Sequence, residues 1–157
     1  MDLVEEMRQF LRATLDAIPA NTVVLDTEGV IISVNKPWKV FADANQSREE
    51  SYYIGANYLN TCDAVTPQEP ESDIAKQVAN GIRSVISGEA DNFYLEYPCH
   101  SPHEQRWFGL RVTHFDEPIP RRVVVAHLNI TERKQVEEAE HKQKEAHDLL
   151  ESRKTLF

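Results

Sequence analysis

Apolar residues recur at two different spacings, and these spacings divide the chain into predicted helices and strands. A spacing of three or four predicts an amphipathic helix over Asp2 to Ile18, which Pro19 ends. The same spacing predicts a second helix over Glu71 to Ser87, with Gly88 as its C-terminal cap. Runs rich in β-branched and aromatic residues, bounded by turn residues, predict five strands. These are Thr22–Asp26, Val30–Val34, Asn92–Tyr97, Gln105–Phe115 and Arg122–Leu128.

Further helices are predicted between and after these strands. Asn35 and Pro37 are typical of a helix start, and the segment N-Y-L-N-T-C-D favours short helical turns. From Thr131 onward the chain is charged and contains no Gly or Pro, which predicts a C-terminal helix. The order of elements predicts an α+β fold on one antiparallel sheet. We divide the chain into an N-terminal helix (1–19), a globular domain (20–134) and a C-terminal helix (135–157).

The late strands are apolar on both faces. Phe108, Leu110 and Val112 point one way, and the next strand has valines on both sides. A sheet with one face in water alternates cleanly between apolar and polar residues. Both faces are therefore predicted to be covered, one by the middle helices. The apolar stripe of the N-terminal helix, from the same subunit or a partner's, is the candidate cover for the other face.

Composition and charge limit the classes of function. The chain has 157 residues, a formal net charge of −9 and 41% hydrophobic residues. The acidic balance argues against nucleic acid and anionic membranes as partners. No apolar run approaches the roughly 20 residues that span a bilayer. Two cysteines are too few for a disulfide scaffold, so a cytoplasmic protein is expected. No catalytic motif is present, so we expect no enzymatic activity from this chain itself.

Three segments resemble the PAS (sensory box) domain family. H-L-N-I-T-E-R-K-Q-V-E-E-A, His127 to Ala139, resembles the closing strand, the D-I-T-E-R-K motif and the signalling helix of that family. Val24 to Trp38 resembles the opening hairpin and first helix, and Arg106 to Phe108 the start of the long penultimate strand. The resemblance covers about residues 20–134 in the same order.

The resemblance implies a fold and a role. The fold is a five-stranded antiparallel sheet with helices on one face around a small cavity, flanked by N- and C-terminal signalling helices. The role is that of a sensory input and dimerisation module in a bacterial signal-transduction protein, here a sensor histidine kinase. It implies a homodimer and a downstream effector domain in the same chain. The alternatives are a ligand-free dimerisation or protein-interaction module and the input domain of a diguanylate cyclase.

The C-terminal helix carries the predicted output. Its positions at alternating spacings of three and four form a weak, polar coiled-coil seam. They are Val136, Ala139, Gln143, Ala146, Leu150, Arg153 and Phe157. We predict a signalling hinge at Asn129, Thr131 and Glu132, where the chain passes from strand to helix. Asn129 replaces the Asp that the family usually has, and it can still cap the helix, with Glu132 as the reciprocal partner.

Aromatic residues are the candidates for a ligand pocket, and a tightly packed core is the competing interpretation. They are Trp38, Phe41, Tyr58, Phe93, Trp107 and Phe108.

Residues and motifs that the sequence lacks argue against two of the candidate cofactors, haem and covalently bound flavin. The helix predicted over Glu71 to Ser87 contains no His, which argues against haem in the family's usual arrangement. Around Cys62 the chain lacks most of the N-C-R-F-L-Q signature of covalent flavin binding, so Cys62 is interpreted as a small core residue. Non-covalent flavin and other small molecules remain open. No metal site is predicted, although the loop with Cys99, His100 and His103 leaves a metal or redox role open beside a plain hairpin.

Overall fold

The computed structural model describes residues 2–44 and 53–155. The chain forms two compact units. The larger contains the described parts of residues 1–97 and 109–128, and the smaller those of 98–108 and 129–157.

The five strands form one antiparallel sheet, as predicted, and their order in the sheet is β2-β1-β5-β4-β3. The central strand β5 pairs with β1 in a register that places Val125 opposite Val23. The first hairpin places Val34 opposite Val23 and contains an irregularity between Val24 and Leu25. The strands are β1 Asn21–Leu25, β2 Ile31–Val34, β3 Phe93–Pro98, β4 Trp107–His114 and β5 Val123–Asn129.

The helices confirm most of the predicted boundaries to within a few residues. They are α1 Leu3–Asp16, α2 Lys36–Ala44, α3 Tyr58–Asp63, α4 Ser72–Ser87 and α5 Thr131–Thr155. Gly88 ends α4 with φ 84°, the left-handed conformation that favours glycine at this position. A Cβ there would also lie 2.4 Å from Cδ1 of Ile119, but that side chain is exposed and can move aside, so the backbone conformation is what favours glycine.

The core of the larger unit lies where α4 covers the sheet. Val78, Ile82 and Val85 from α4 are buried. The sheet supplies fully or almost fully buried partners from four strands. These are Val23, Leu25, Ile31, Val34, Leu110, Val112, Val123 and Val125. Leu110 and Val112, and likewise Val123 and Val125, alternate along their strands, so they share the face of the sheet that is turned toward the core.

Asn35 joins the first elements of the chain. Its side-chain oxygen accepts hydrogen bonds from the backbone N–H groups of Thr22 (2.9 Å) and Trp38 (3.1 Å). Its amide nitrogen donates to the carbonyl oxygens of Leu15 (3.1 Å) and Ala20 (2.9 Å). The predicted helix start at Asn35 is therefore also the point that holds the end of α1.

The apolar stripe of α1 is exposed along most of its length. The exposed fractions are 50% for Met7, 65% for Phe10 and 58% for Leu11, and α1 has no buried residue. The stripe is thus available to a partner. Of the helices in the described part of the chain, none combines the length and apolar character that crossing a bilayer requires.

Candidate functional site

A histidine held between two tyrosines lies on the inward face of β5. Tyr58 Oη is 3.1 Å from Nε2 of His127, and Tyr97 Oη is 2.9 Å from Nδ1 of the same ring. The Trp38 ring lies 6.3 Å from the imidazole, centroid to centroid. The four side chains come from β5, α3, β3 and α2. We call Trp38, Tyr58, Tyr97 and His127 the histidine cluster.

Burial keeps the cluster neutral. It lowers the pKa of His127 to about 4, so the ring is uncharged near neutral pH. Burial also raises the pKa of Tyr58 well above its usual range, with the nearby Cys62 and Tyr97 adding to the effect. A neutral imidazole has one N–H donor and one acceptor nitrogen. One tyrosine therefore donates to the ring and the other accepts from it, and the two tautomers exchange these roles.

Sequence analysis predicted two members of this cluster and missed two. Trp38 and Tyr58 were among the aromatic pocket candidates, and the structure brings both to His127. His127 and Tyr97 were not. A signal for His127 was present, since it follows Val123 and Val125 at alternate positions and so lies on the same inward face.

Phe93 packs tightly rather than leaving space beside α4. A Cβ at Gly81 would lie 2.4 Å from Phe93 Cγ, so the aromatic ring lies directly against the glycine backbone. Phe93 packs against the buried core, and Phe41 on α2 is half-buried. At Phe93 the structure favours the tightly packed interpretation.

The smaller unit contains the passage from strand to helix. Ile130 alone separates β5 from α5. Its N–H donates to the carbonyl oxygen of Trp107 (2.8 Å), and the Trp107 N–H donates to the hydroxyl of Thr131 (3.0 Å). The Lys134 ammonium lies 5.2 Å from the centre of the Trp107 ring. We call Trp107, Asn129, Ile130, Thr131 and Lys134 the junction.

Asn129 and Thr131 of the predicted hinge lie at this junction, and Glu132 follows in the first turn of α5. Asn129 Oδ1 accepts from the Thr131 N–H (3.0 Å) and the Thr131 hydroxyl (2.6 Å). The side chain of Asn129 is therefore engaged two residues on, and α5 begins at Thr131 rather than after Asn129. Asn129 Oδ1 thus accepts an N–H at the start of α5, as a capping side chain does, and the buried Ile130 lies between the two residues, while the reciprocal bond from Glu132 stays a prediction.

Trp107 and Phe108 belong to the smaller unit, unlike the other four pocket candidates. The Trp107 ring meets His100 edge to face at 6.1 Å as well as Lys134. Phe108 is buried, and the Arg106 guanidinium lies 6.0 Å from its ring centre. The contacts of Trp107 are thus those of the junction.

The two cysteines have different surroundings. Cys62 packs against the core and borders a surface cleft of about 320 Å³ between α3 and α4. Burial, together with the charge of Asp63, raises the pKa of its thiol to about 11, which keeps it protonated. Cys99 lies in the β3–β4 loop, where its carbonyl oxygen accepts from Arg106 Nε at 3.0 Å. Among the described residues, no group of three or more His, Cys, Asp or Glu is placed to hold a metal ion.

Comparisons with known proteins give the family. The model of the PAS fold matches residues 15–135. An uncharacterised 104.1 kDa protein of Rhodobacter capsulatus is 36% identical over 124 residues, which are 78% of this chain. The chain spans only 13% of that relative's length.

Solved structures share the fold at low identity. The PAS domain of BvgS from Bordetella pertussis has a TM-score of 0.57 and 15% identity, with 90% of this chain and 98% of that chain covered. A C-terminal domain from Streptococcus mutans has a TM-score of 0.56 and 12% identity, with 82% and 89% covered. The phage VqmA–DPO complex has a TM-score of 0.55 and 15% identity, with 89% and 61% covered.

Proposed function

Because this chain belongs to the PAS family, we propose that it is the sensory input and dimerisation module of a larger bacterial signalling protein, a sensor histidine kinase, and that it relays its signal through α5. The observation that carries the proposal is the junction. Only Ile130 separates the central strand of the sheet from a helix of 25 residues. In this proposal a change in the packing of β5 is transmitted to α5, because no flexible loop lies between the strand and the helix.

In this proposal the histidine cluster is the site that receives the signal. His127 lies on β5, two residues before Asn129. A small molecule that bonded Tyr58 or Tyr97 would take one of the two partners of the imidazole. The ring would then change tautomer or rotate, and β5 would respond. The signal shifts the population between two packings rather than creating a new one.

The 104.1 kDa relative supports the placement in a larger protein, because the matching region is a small part of its length. In this proposal the effector domain lies in the same chain and is cytoplasmic. A histidine kinase is the first choice, and a diguanylate cyclase is the alternative.

A ligand-free interaction module is the second candidate, and the closed bonding of the cluster favours it. Tyr58, His127 and Tyr97 satisfy one another without a ligand, and Phe93 fills the space beside Gly81. Among the described residues, no buried side-chain nitrogen or oxygen lacks a hydrogen-bond partner.

Two measurements separate these candidates. Native mass spectrometry and the absorption spectrum of the purified protein detect a retained small molecule or flavin, whereas the interaction module carries none. Effector activity of the longer protein, either autophosphorylation or cyclic-dinucleotide formation, is then compared between wild type and Tyr97→Phe. Tyr97→Phe keeps the aromatic ring and removes one partner of His127, so the sensor proposal expects a changed response to the signal. Unchanged activity across the full signal range would contradict it.

A further inference from the structure

A second histidine, His114, is held between two hydrogen-bond acceptors at the far end of β4. Its Nδ1 lies 2.9 Å from the carbonyl oxygen of Phe115, and its Nε2 lies 2.9 Å from Oδ1 of Asp91. The His114 side chain is 23% exposed and that of Asp91 is 87% exposed. Neither the carbonyl oxygen nor the carboxylate has a proton to donate.

This geometry selects the charged form of the ring. A neutral imidazole has a single N–H, so with neutral His114 one of its two nitrogens would face an acceptor with no proton between them. Only the imidazolium donates both bonds. Two charged groups act on the ring, namely the Asp91 carboxylate, which favours the proton, and the Arg121 guanidinium, which opposes it. The bond to the Phe115 carbonyl is the larger favourable cause, that to Asp91 follows, and together they raise the pKa of His114.

The two acceptors belong to the segments that hold the end of α4. Asp91 lies in the turn between α4 and β3, and Phe115 begins the connection between β4 and β5. In that connection Arg121 donates from Nε to the carbonyl oxygen of Val85 (2.9 Å) and from Nη2 to that of Ala90 (3.0 Å). The end of α4 is thus fastened by one permanent cation, Arg121, and one cation that can lose its charge, His114.

We propose that His114 is a proton-binding site that makes the attachment of the α4–β3 turn depend on pH. When protonated, His114 ties Asp91 to the end of β4. When His114 loses the proton, the single N–H that remains is shared between Asp91 and the Phe115 carbonyl, so the attachment of the turn through Asp91 weakens while Arg121 still holds the carbonyl oxygens of Val85 and Ala90. His114 is thus a second signal input, and the ligand that it binds is the proton. This site shares no residue with the histidine cluster or the junction.

The pH window follows from the sign of the effect. The folded protein holds the His114 proton more tightly than the unfolded chain, whose histidines titrate near pH 6.5. The stabilisation is fully present below about pH 6.5 and is lost as the pH rises through the higher pKa of the folded state. The switch therefore operates on the alkaline side of the ordinary histidine range.

The test is a titration of the histidine ring nitrogens by nuclear magnetic resonance. Wild type is compared with Asp91→Asn, which removes the carboxylate, and with Glu89→Gln, a matched control that removes an exposed carboxylate two residues earlier. We expect the midpoint of His114 in wild type to lie above the ordinary histidine value of about 6.5. Asp91→Asn lowers its midpoint and Glu89→Gln does not.

Backbone amide signals from Gly88 to Asn92 decide whether the proton acts on the turn. They should move with the same midpoint as the His114 ring in wild type, follow it down in Asp91→Asn, and lose this transition in His114→Gln. A His114 ring that titrates at or below the ordinary histidine value of about 6.5, or turn amides that do not follow it, overturns the proposal. If His114→Gln does not fold, the two carboxylate variants still decide the outcome.

Discussion

At the scale of single residues, the two histidines of the larger unit show how position sets chemistry. His127 is surrounded by aromatic side chains, and burial lowers its pKa to about 4. His114 has an acceptor at each nitrogen, and its pKa is raised. A histidine on the inward face of the sheet is therefore neutral, whereas the histidine at the end of β4 favours its charged form.

We predict that His127 makes the protein less stable in mild acid. In the unfolded chain a histidine binds its proton near pH 6.5, whereas folded His127 does so only near pH 4. The free energy of unfolding should therefore fall as the pH drops from about 6.5 to about 4, by up to roughly 3 kcal/mol. Denaturant unfolding at several pH values measures it. In His127→Gln the fall should be smaller, and an equal fall in wild type and His127→Gln would refute the assignment.

We predict that position 81 requires glycine because of the neighbouring Phe93 ring and not because of its backbone conformation. Replacing a helical glycine with alanine normally stabilises by about 1 kcal/mol. At Gly81 the added methyl group would meet the Phe93 ring at 2.4 Å. Gly81→Ala should instead destabilise by about 1–3 kcal/mol through overpacking. In a Phe93→Ala background the same substitution should become stabilising, and an absence of this coupling would show that the ring moves aside easily.

At the scale of elements, the hydroxyl of Thr131 links the segments that meet where β5 passes into α5. Thr131 accepts from the Trp107 N–H and donates to Asn129, so it links the start of β4, the end of β5 and the start of α5. α5 itself is exposed, and several of its ion pairs lie along its own surface, such as Arg133–Glu137 and Lys142–Glu138. Such pairs contribute only a few tenths of a kcal/mol each. The position of the first turn therefore depends on the junction.

Thr131→Val should loosen this passage with little change in shape. It removes the hydroxyl and leaves the Trp107 N–H without its acceptor, at a cost of about 1–3 kcal/mol. Hydrogen exchange at Trp107 and in the first turn of α5 should accelerate. Thr131→Ser keeps the hydroxyl and should exchange like wild type. If Thr131→Val also exchanges like wild type, the hydroxyl does not hold the junction.

At the scale of the whole molecule, α1 leaves its apolar stripe uncovered. Its side chains Phe10 and Leu11 are 65% and 58% exposed, while its last turn is tied to Asn35, whose side-chain amide donates to the carbonyl oxygen of Leu15. A fixed helix with an exposed apolar stripe is suited to pairing with a second copy, which is the dimer that we propose.

Leu11→Glu should therefore lower the affinity of the dimer by about tenfold or more, because burial of a leucine contributes about 1.5–3 kcal/mol. Sedimentation velocity over a range of concentrations measures the shift. Gln9→Glu adds the same charge to the same helix outside the predicted stripe and should leave association unchanged. A monomeric wild type, or equal association in both variants, would exclude α1 as the dimer contact.

The pattern of the sequence alone determined the elements and which residues of a strand share a face. The alternation in β4 and β5, the stripe of α4 and the capping residue Gly88 each depend on neighbours close in the chain. The family motif of His127 to Ala139 also located the junction. Local pattern was sufficient because secondary structure and burial direction are set within a few residues.

Only the tertiary structure decided which side chains act together. Tyr58 and Tyr97 meet at His127 although they are 69 and 30 residues away from it in the chain, and Asp91 meets His114 across 23 residues. The Trp107 backbone, 24 residues from Thr131 in the chain, likewise engages the start of α5. A pKa depends on burial and on such distant partners, so the charge of each histidine is fixed by the fold and not by the spacing of residues.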